Sequence, residues 1–391
     1  MKSVNRIFCA LMALTAGLVC SAATIDLTGT GKEKLTVSID VKGEPSFAQS
    51  LKRNLERSGC FKVQAGGLVK VTGAVGQGVR AEMPKNGQLR GLSVPSAAKD
   101  AKAARMEARK LADAMCEKFA DQKGFASDPI AFVRRTGKGV SELCVGYPDG
   151  FDVRQLGKDN GSVVGPRWKD ANTLFYTGIY GSGPQVFEFN TQTAAKKLKW
   201  TFKGLTTGAA VSPDGSRVAI ILSMHGNPEL YVINVASGTW SRLTTTKNAS
   251  EGQPSWSPDG RQIVYVSDEA RRPQLYVIDV ATKAKRRLTS TGSQNVVPDW
   301  GKDGRITYLT KRGGTTQIAV LDPQKGEASA MLVGEPGNWE HPSWSSNGRH
   351  VVASRDRALY IVDTKTKEDG GDAPRRLFDN DGIWITPCWR K

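Results

Sequence analysis

Histidine is nearly missing from this chain: 391 residues hold only His225, His341 and His350, too scattered in sequence to read as a metal cluster. There is no G-x-S-x-G nucleophile elbow and no H-E-x-x-H zinc motif, which removes two common signatures of hydrolytic enzymes. Long apolar runs are lacking beyond residue 23, so no later segment can cross a bilayer as a helix. Acid is in deficit, with 38 Asp and Glu against 55 Lys and Arg and a formal charge of +17. Such a basic surface speeds association with anionic surfaces or acidic partners. Cysteine is sparse at six residues.

The first 23 residues, "MKSVNRIFCALMALTAGLVCSAA", combine Lys2 and Arg6, an apolar run from Ile7 to Val19 and a small-residue end. That pattern predicts a secretory signal peptide cleaved after Ala22 or Ala23. An alternative uses "LVCS" as a loose lipobox with Cys20 lipidated. Export leaves a mature chain of charge +15, once Lys2 and Arg6 are gone, and argues against a nucleic-acid partner. It also permits disulfides among Cys60, Cys116, Cys144 and Cys388.

What the chain has in abundance is one repeated unit. In "PSWSPDGRQIVYVSDEARRPQLYVIDVATKAKRRLT", Ser257-Pro258-Asp259-Gly260 is turn chemistry between runs of β-branched and aromatic residues, which makes four short strands in series. Near-copies start at "PRWKDAN", "AAVSPDG", "PDWGKDG" and "PSWSSNG". From Trp168 through Val211, Trp256, Trp300 and Trp344 to Trp389 the steps are 43, 45, 44, 44 and 45 residues. A four-stranded unit with a period near 44 predicts a β-propeller. Residues 128–157 supply three strands of a unit without the first, and "TPCWRK" at the end supplies a first strand with nothing after it. The last strand therefore closes a ring of six blades over 128–391 and removes two open sheet edges. In that first blade Cys144 and Cys388 are two strand spacings apart, beyond disulfide reach.

Residues 24–127 predict a separate α+β domain. Strands are expected at "LTVSIDV", "CFKV", "LVKVTGAV", "GVRAEM" and "QLRGLSV". One helix has Phe47, Leu51 and Leu55 on a single face and stops at Gly59. A second runs from near Ser96, with Ala104, Ala108, Leu111, Met115 and Phe119 in a stripe and Gly124 as its terminator. Cys60 and Cys116 share this domain and could pair; a loop of that length is worth about 4 kcal/mol in the chain-entropy picture.

The leader, the small α/β domain, the six "WSPDG…IVYVSD…LYVIDV…RRLT" units, the early "LKRNLERSGCFKV", the "GSQN" at 292–295 and the closing "PCW" together resemble the TolB family, periplasmic components of the Tol-Pal system. The compact N-terminal domain, "AAV" in place of an aromatic start, and "KDAN" in the first turn depart from the family pattern. The resemblance implies a periplasmic, non-enzymatic adaptor without cofactor. It would bind the lipoprotein Pal at the mouth of the propeller and TolA through the start of the mature chain, Thr24, Ile25, Asp26, Leu27 and Thr28. It would thereby maintain the outer membrane during constriction at cell division, with any contact to peptidoglycan or outer-membrane proteins indirect. Loops at matching phases before the innermost strands nominate Thr206, Thr207, Gly252, Gln253, Gln294, Asn295, Trp339, Glu340, His341 and Trp384 for Pal. Trp339 and Trp384 would be anchors if exposed; the alternative tucks them between blades. Two other classes stay open: a propeller that binds glycan or peptidoglycan directly, and a propeller lyase or hydrolase.

Overall fold

A computed structural model describes residues 33–157, 161–181, 183–204, 206–379 and 382–391. The expected leader and Thr24–Thr28 lie outside them. The described chain forms a five-stranded sheet with two helices, followed by six four-stranded sheets, as the sequence predicts.

The N-terminal domain runs β1 (Leu35–Lys42), α1 (Pro45–Arg57), β2 (Phe61–Val63), β3 (Val69–Ala74), β4 (Gly78–Lys85), β5 (Gln88–Val94) and α2 (Ala101–Ala120). Sheet order is β2-β1-β3-β4-β5, with β1 parallel to both its neighbours and the rest antiparallel. Pro45 presets the first turn of α1, and the Glu44 carboxylate accepts from the Ser46 N–H at 3.3 Å. Phe47, Leu51 and Leu55 are buried against Val37, Val69 and Val71, so the predicted helix face becomes core.

Two boundaries of α2 differ from expectation. It starts at Ala101 because Asp100, not Ser96, caps it, accepting from the Ala103 N–H at 2.8 Å. Ser96 Oγ is already engaged with Gly76 N–H and the Glu107 carboxylate. The chain leaves the helix at Asp121, which adopts φ 51°. Gly124 serves close approach instead: a Cβ there would lie 2.4 Å from Asp113 Cα, where the Asp113 carboxylate receives the Ala126 and Ser127 N–H groups.

The propeller's innermost strands are Ser162–Trp168, Thr206–Val211, Glu251–Trp256, Gln294–Trp300, Trp339–Trp344 and Ile383–Trp389. Each packs on the next, and the first packs on both the second and the last, so the ring is closed. Ile383–Trp389 pairs antiparallel with Ile130–Gly137 (Trp389 opposite Ile130, Trp384 opposite Arg134), completing the first blade from the far end of the chain. The strand Ile130–Gly137 separates Cys388 from Cys144, as expected. In the turns, Asp259 Oδ1 accepts from Ser257 Oγ at 2.6 Å and from Arg261 N–H at 3.1 Å. "KDAN" keeps that chemistry, since Asp170 accepts from the Asn172 and Thr173 N–H groups.

An arginine-rich face of α1 and α2 docks on the turn Tyr147–Asp152 of the first blade. Arg109, with no exposed surface, donates to Asp149 through Nε at 2.8 Å and Nη2 at 2.9 Å, and to Asp152 at 2.8 Å, with its guanidinium 3.9 Å from the Tyr147 ring centroid. Arg105 grips Asp152, and Arg57 donates to the carbonyls of Pro148 and Arg376. Burial, with Arg53 nearby, pushes Arg57 down to about 10.

Candidate functional site

Every innermost strand is bulged at the same phase. The register shifts fall at residues 165–166, 208–209, 253–254, 297–298, 341–342 and 386–387. The first residue of each bulge has positive φ: Gly165 55°, Gly208 70°, Gln253 51°, Val297 51°, His341 49° and Thr386 46°. Five of the six are followed by proline, which has no N–H to lose at a bulge and pushes its predecessor out of the right-handed helical region. Two residues further on, side chains stitch blade to blade. Ser255 Oγ accepts from Trp300 N–H at 3.0 Å, Asp299 Oδ2 from Trp344 N–H at 2.7 Å, and Ser343 Oγ from Trp389 N–H at 3.2 Å. These three bonds join four successive strands of the channel wall.

Strand alternation sorts the predicted mouth residues. Two positions before each bulge stand Val163, Thr206, Glu251, Asn295, Trp339 and Trp384, and all six are buried. The next positions, Val164, Thr207, Gly252, Val296, Glu340 and Ile385, turn to the opposite side and keep contact with solvent. Trp339 (1% exposed) and Trp384 (3%) are therefore not exposed anchors. Trp339 lies under Arg355 and edge-on to Tyr360; Trp384 packs on Phe132 and Phe378. Asn295 is likewise structural, donating to Gln274 Oε1 and Thr291 O at 2.8 Å each. Of the ten nominated residues, Gln253 and Glu340 are exposed and Thr207, Gly252, Gln294 and His341 half-buried, all on strand starts at one mouth. Val164, Val296 and Ile385 belong to the same ring; their apolar side chains carry no polar binding signal, and only their phase in the repeat marks them.

His341 sits on its bulge with Nδ1 buried and without a hydrogen-bond partner. Burial, and then the Arg167 charge, push its pKa down to about 4, so the ring is neutral. Glu251 is 4% exposed, and neither carboxylate oxygen has a hydrogen-bond partner. Burial raises its pKa to about 7; the neighbouring Ser267 hydroxyl opposes the shift and the Glu229 charge adds to it. A carboxyl whose folded pKa is raised stabilises the fold fully below its unfolded value, and that contribution disappears as pH climbs through the folded value. Glu251→Gln should then unfold at the same urea concentration as the parent at pH 4 and be more stable by about 3 kcal/mol at pH 8. Identical midpoints at pH 8 would contradict the buried, unpaired carboxyl.

The opposite end of the channel opens into a cavity of about 730 Å³ lined by Trp168, Trp256, Trp300, Lys302, Arg390 and Lys391, among others. Lys391 Nζ crosses it to Asp299 Oδ1 (2.6 Å) and Trp300 O (2.7 Å).

The family model described as the TolB beta propeller domain matches residues 116–391. The chain belongs to the TolB β-propeller family. A curated relative, Tol-Pal system protein TolB of Gluconobacter oxydans (strain 621H), is 26% identical over 239 residues, covering 59% of this chain and 50% of the relative. The match thus spans about half the relative's length. The crystal structure of TolB from Acinetobacter baumannii superposes with a TM-score of 0.79 at 22% identity, over 92% of this chain and 97% of that one. Putative TolB from Agrobacterium tumefaciens gives a TM-score of 0.51 at 20% identity, covering 65% and 89%. The Acinetobacter protein thus shares both domains of the TolB fold seen here. No helix among the described residues is long and apolar enough to cross a membrane.

Proposed function

We propose that this TolB-family chain is a periplasmic scaffold of a Tol-Pal system, acting by binding rather than catalysis. Pal docks at the mouth where the six innermost strands begin, TolA binds the segment from Ala23 to Lys34, and the pair of contacts links the outer membrane to constriction at division. The observation that carries this reading is the ring of in-phase strand starts around one opening, where Gln253 and Glu340 stay exposed and contacts from several blades can cooperate on one ligand. The TolA segment is polar and has no apolar stripe, as suits a strand ordered by its partner. The test is titration of purified Pal and TolA against variants. Gln253→Ala with Glu340→Ala should weaken Pal at least tenfold, about 1.4 kcal/mol, with TolA unchanged. A chain starting at residue 35 should lose TolA and keep Pal. Normal Pal binding by the double variant, or full TolA binding by the shortened chain, rejects the corresponding half.

A second reading, direct binding of glycan or peptidoglycan, draws on the indole-lined cavity with Lys302 and Arg390 at the opposite mouth. Retention on isolated cell wall without Pal would favour it.

A further inference from the structure

The N-terminal domain also meets the sixth blade, and a pair of thiols sits at that contact. Cys60 follows the Gly59 turn after α1 and leads into β2; Cys116 lies in the last turn of α2. Both are free thiols, and they hydrogen-bond each other. Cys60 Sγ is 3.2 Å from Gln122 Oε1 and 3.7 Å from Arg349 Nη1. Arg349 reaches across from a turn of the sixth blade, held by both oxygens of Asp363 (3.0 and 2.6 Å) and by Gln122 Oε1 (2.8 Å). The approach needs a glycine beside Cys60: Gly59 has φ +68°, and a Cβ there would lie 2.4 Å from Arg349 Nη2.

The hydrogen bond from Cys116 draws the Cys60 thiol down to about 7; burial opposes the shift and the Arg349 charge assists it. The same bond, with burial, holds Cys116 well above its ordinary value, so Cys60 carries the thiolate and Cys116 the proton. Gln122 and Arg349 also line an open groove of about 560 Å³, in which Arg305 and Arg349 are paired with Asp303 and Asp363, and Lys123 and Lys365 stand with Asp121 and Asp369. Among the described cysteines, Cys144 offers a contrast: it is buried, and burial raises it to about 11.

We propose that Cys60 and Cys116 form a redox-active dithiol, in which half-buried Cys60 attacks a small disulfide and Cys116 resolves the product. The Cys60 thiolate attacks one sulfur of the reagent R–S–S–R, forming a mixed disulfide and releasing RS⁻. Cys116 then gives up its proton, attacks Cys60 Sγ and releases the second RS⁻. Two protein thiols are oxidised, one reagent disulfide is reduced to two thiols, and the two protons end on the released sulfurs. The new bond staples α2 to the α1–β2 turn where Arg349 docks. The inference does not depend on the Tol-Pal reading.

The experiment uses the full described chain, reduced and then treated with oxidised glutathione, with products read by mass spectrometry. The expected result is a Cys60–Cys116 linked peptide two hydrogens lighter than the reduced pair. In iodoacetamide labelling against pH, Cys60 should react with a midpoint near 7. Cys116→Ser, which keeps a donor but cannot resolve, should accumulate the glutathione adduct at Cys60. Cys116→Ala should move the midpoint toward the ordinary value of about 8.5. Protection of Cys144 from labelling certifies that each variant is folded. A folded parent chain that yields no linked peptide, or whose Cys60 already titrates at the ordinary value, overturns the proposal.

Discussion

Deleting residues 383–391 should abolish the monomeric propeller altogether. That strand carries Trp384, Cys388 and Trp389, all buried, and donates the hydrogen-bonded edge of the first blade. Each buried Trp lost costs roughly 3–5 kcal/mol, and the whole strand exceeds much of the 5–15 kcal/mol or so that keeps a typical domain folded. The deletion also leaves Ile130–Gly137 as an unpaired edge and removes the acceptor-side contact by which Ser343 grips the Trp389 N–H. Size-exclusion chromatography should show aggregate or oligomer, and thermal melting should lose its cooperative transition. A monomer melting at the parent temperature would mean that the ring does not depend on its last strand.

The second large effect is expected at Arg109→Ala. The side chain has no exposed surface, and its removal strands the equally buried Asp149, which then keeps Ser50 Oγ (2.6 Å), the Phe151 N–H (3.1 Å) and a long bond from Asn54 Nδ2 (3.5 Å) but no charged partner at that distance. Breaking a buried ion pair by deleting one member costs about 3–5 kcal/mol, because the remaining charge stays desolvated. Burial opposes ionisation of the neighbouring Asp152, but Arg105 and Arg109 together hold it below the usual carboxylate range. Urea unfolding should show the loss, with little dependence on salt, since the pair is shielded from screening ions. The N-terminal domain should also become more susceptible to limited proteolysis. A loss below about 1 kcal/mol would place the domain contact elsewhere.

The repeat period carried most of the fold. Trp168 to Trp389 at steps near 44 reported the blade number, and the orphan strands at 128–157 and 386–391 reported closure, because a propeller's core is a local pattern written once per blade. The α1 stripe was equally legible, since Phe47, Leu51 and Leu55 bury the face their spacing defines. Less legible was Trp339. As a residue type it suggests a binding anchor, yet its phase matches Thr206 and Asn295, and the period of two sends all of them between blades.

The sequence by itself determined the propeller, its six blades, its closure and the apolar faces of the small domain, because these follow from periodicity and turn chemistry that act over a few residues. Only the tertiary structure decided what meets across the domain boundary. Arg109 with Asp149, and Arg349 with Cys60, come from segments tens to hundreds of residues apart with no repeat to relate them. The buried charges of Arg109 and Asp149 are tolerable only because each segment arrives with the other's partner, and no local pattern records that meeting.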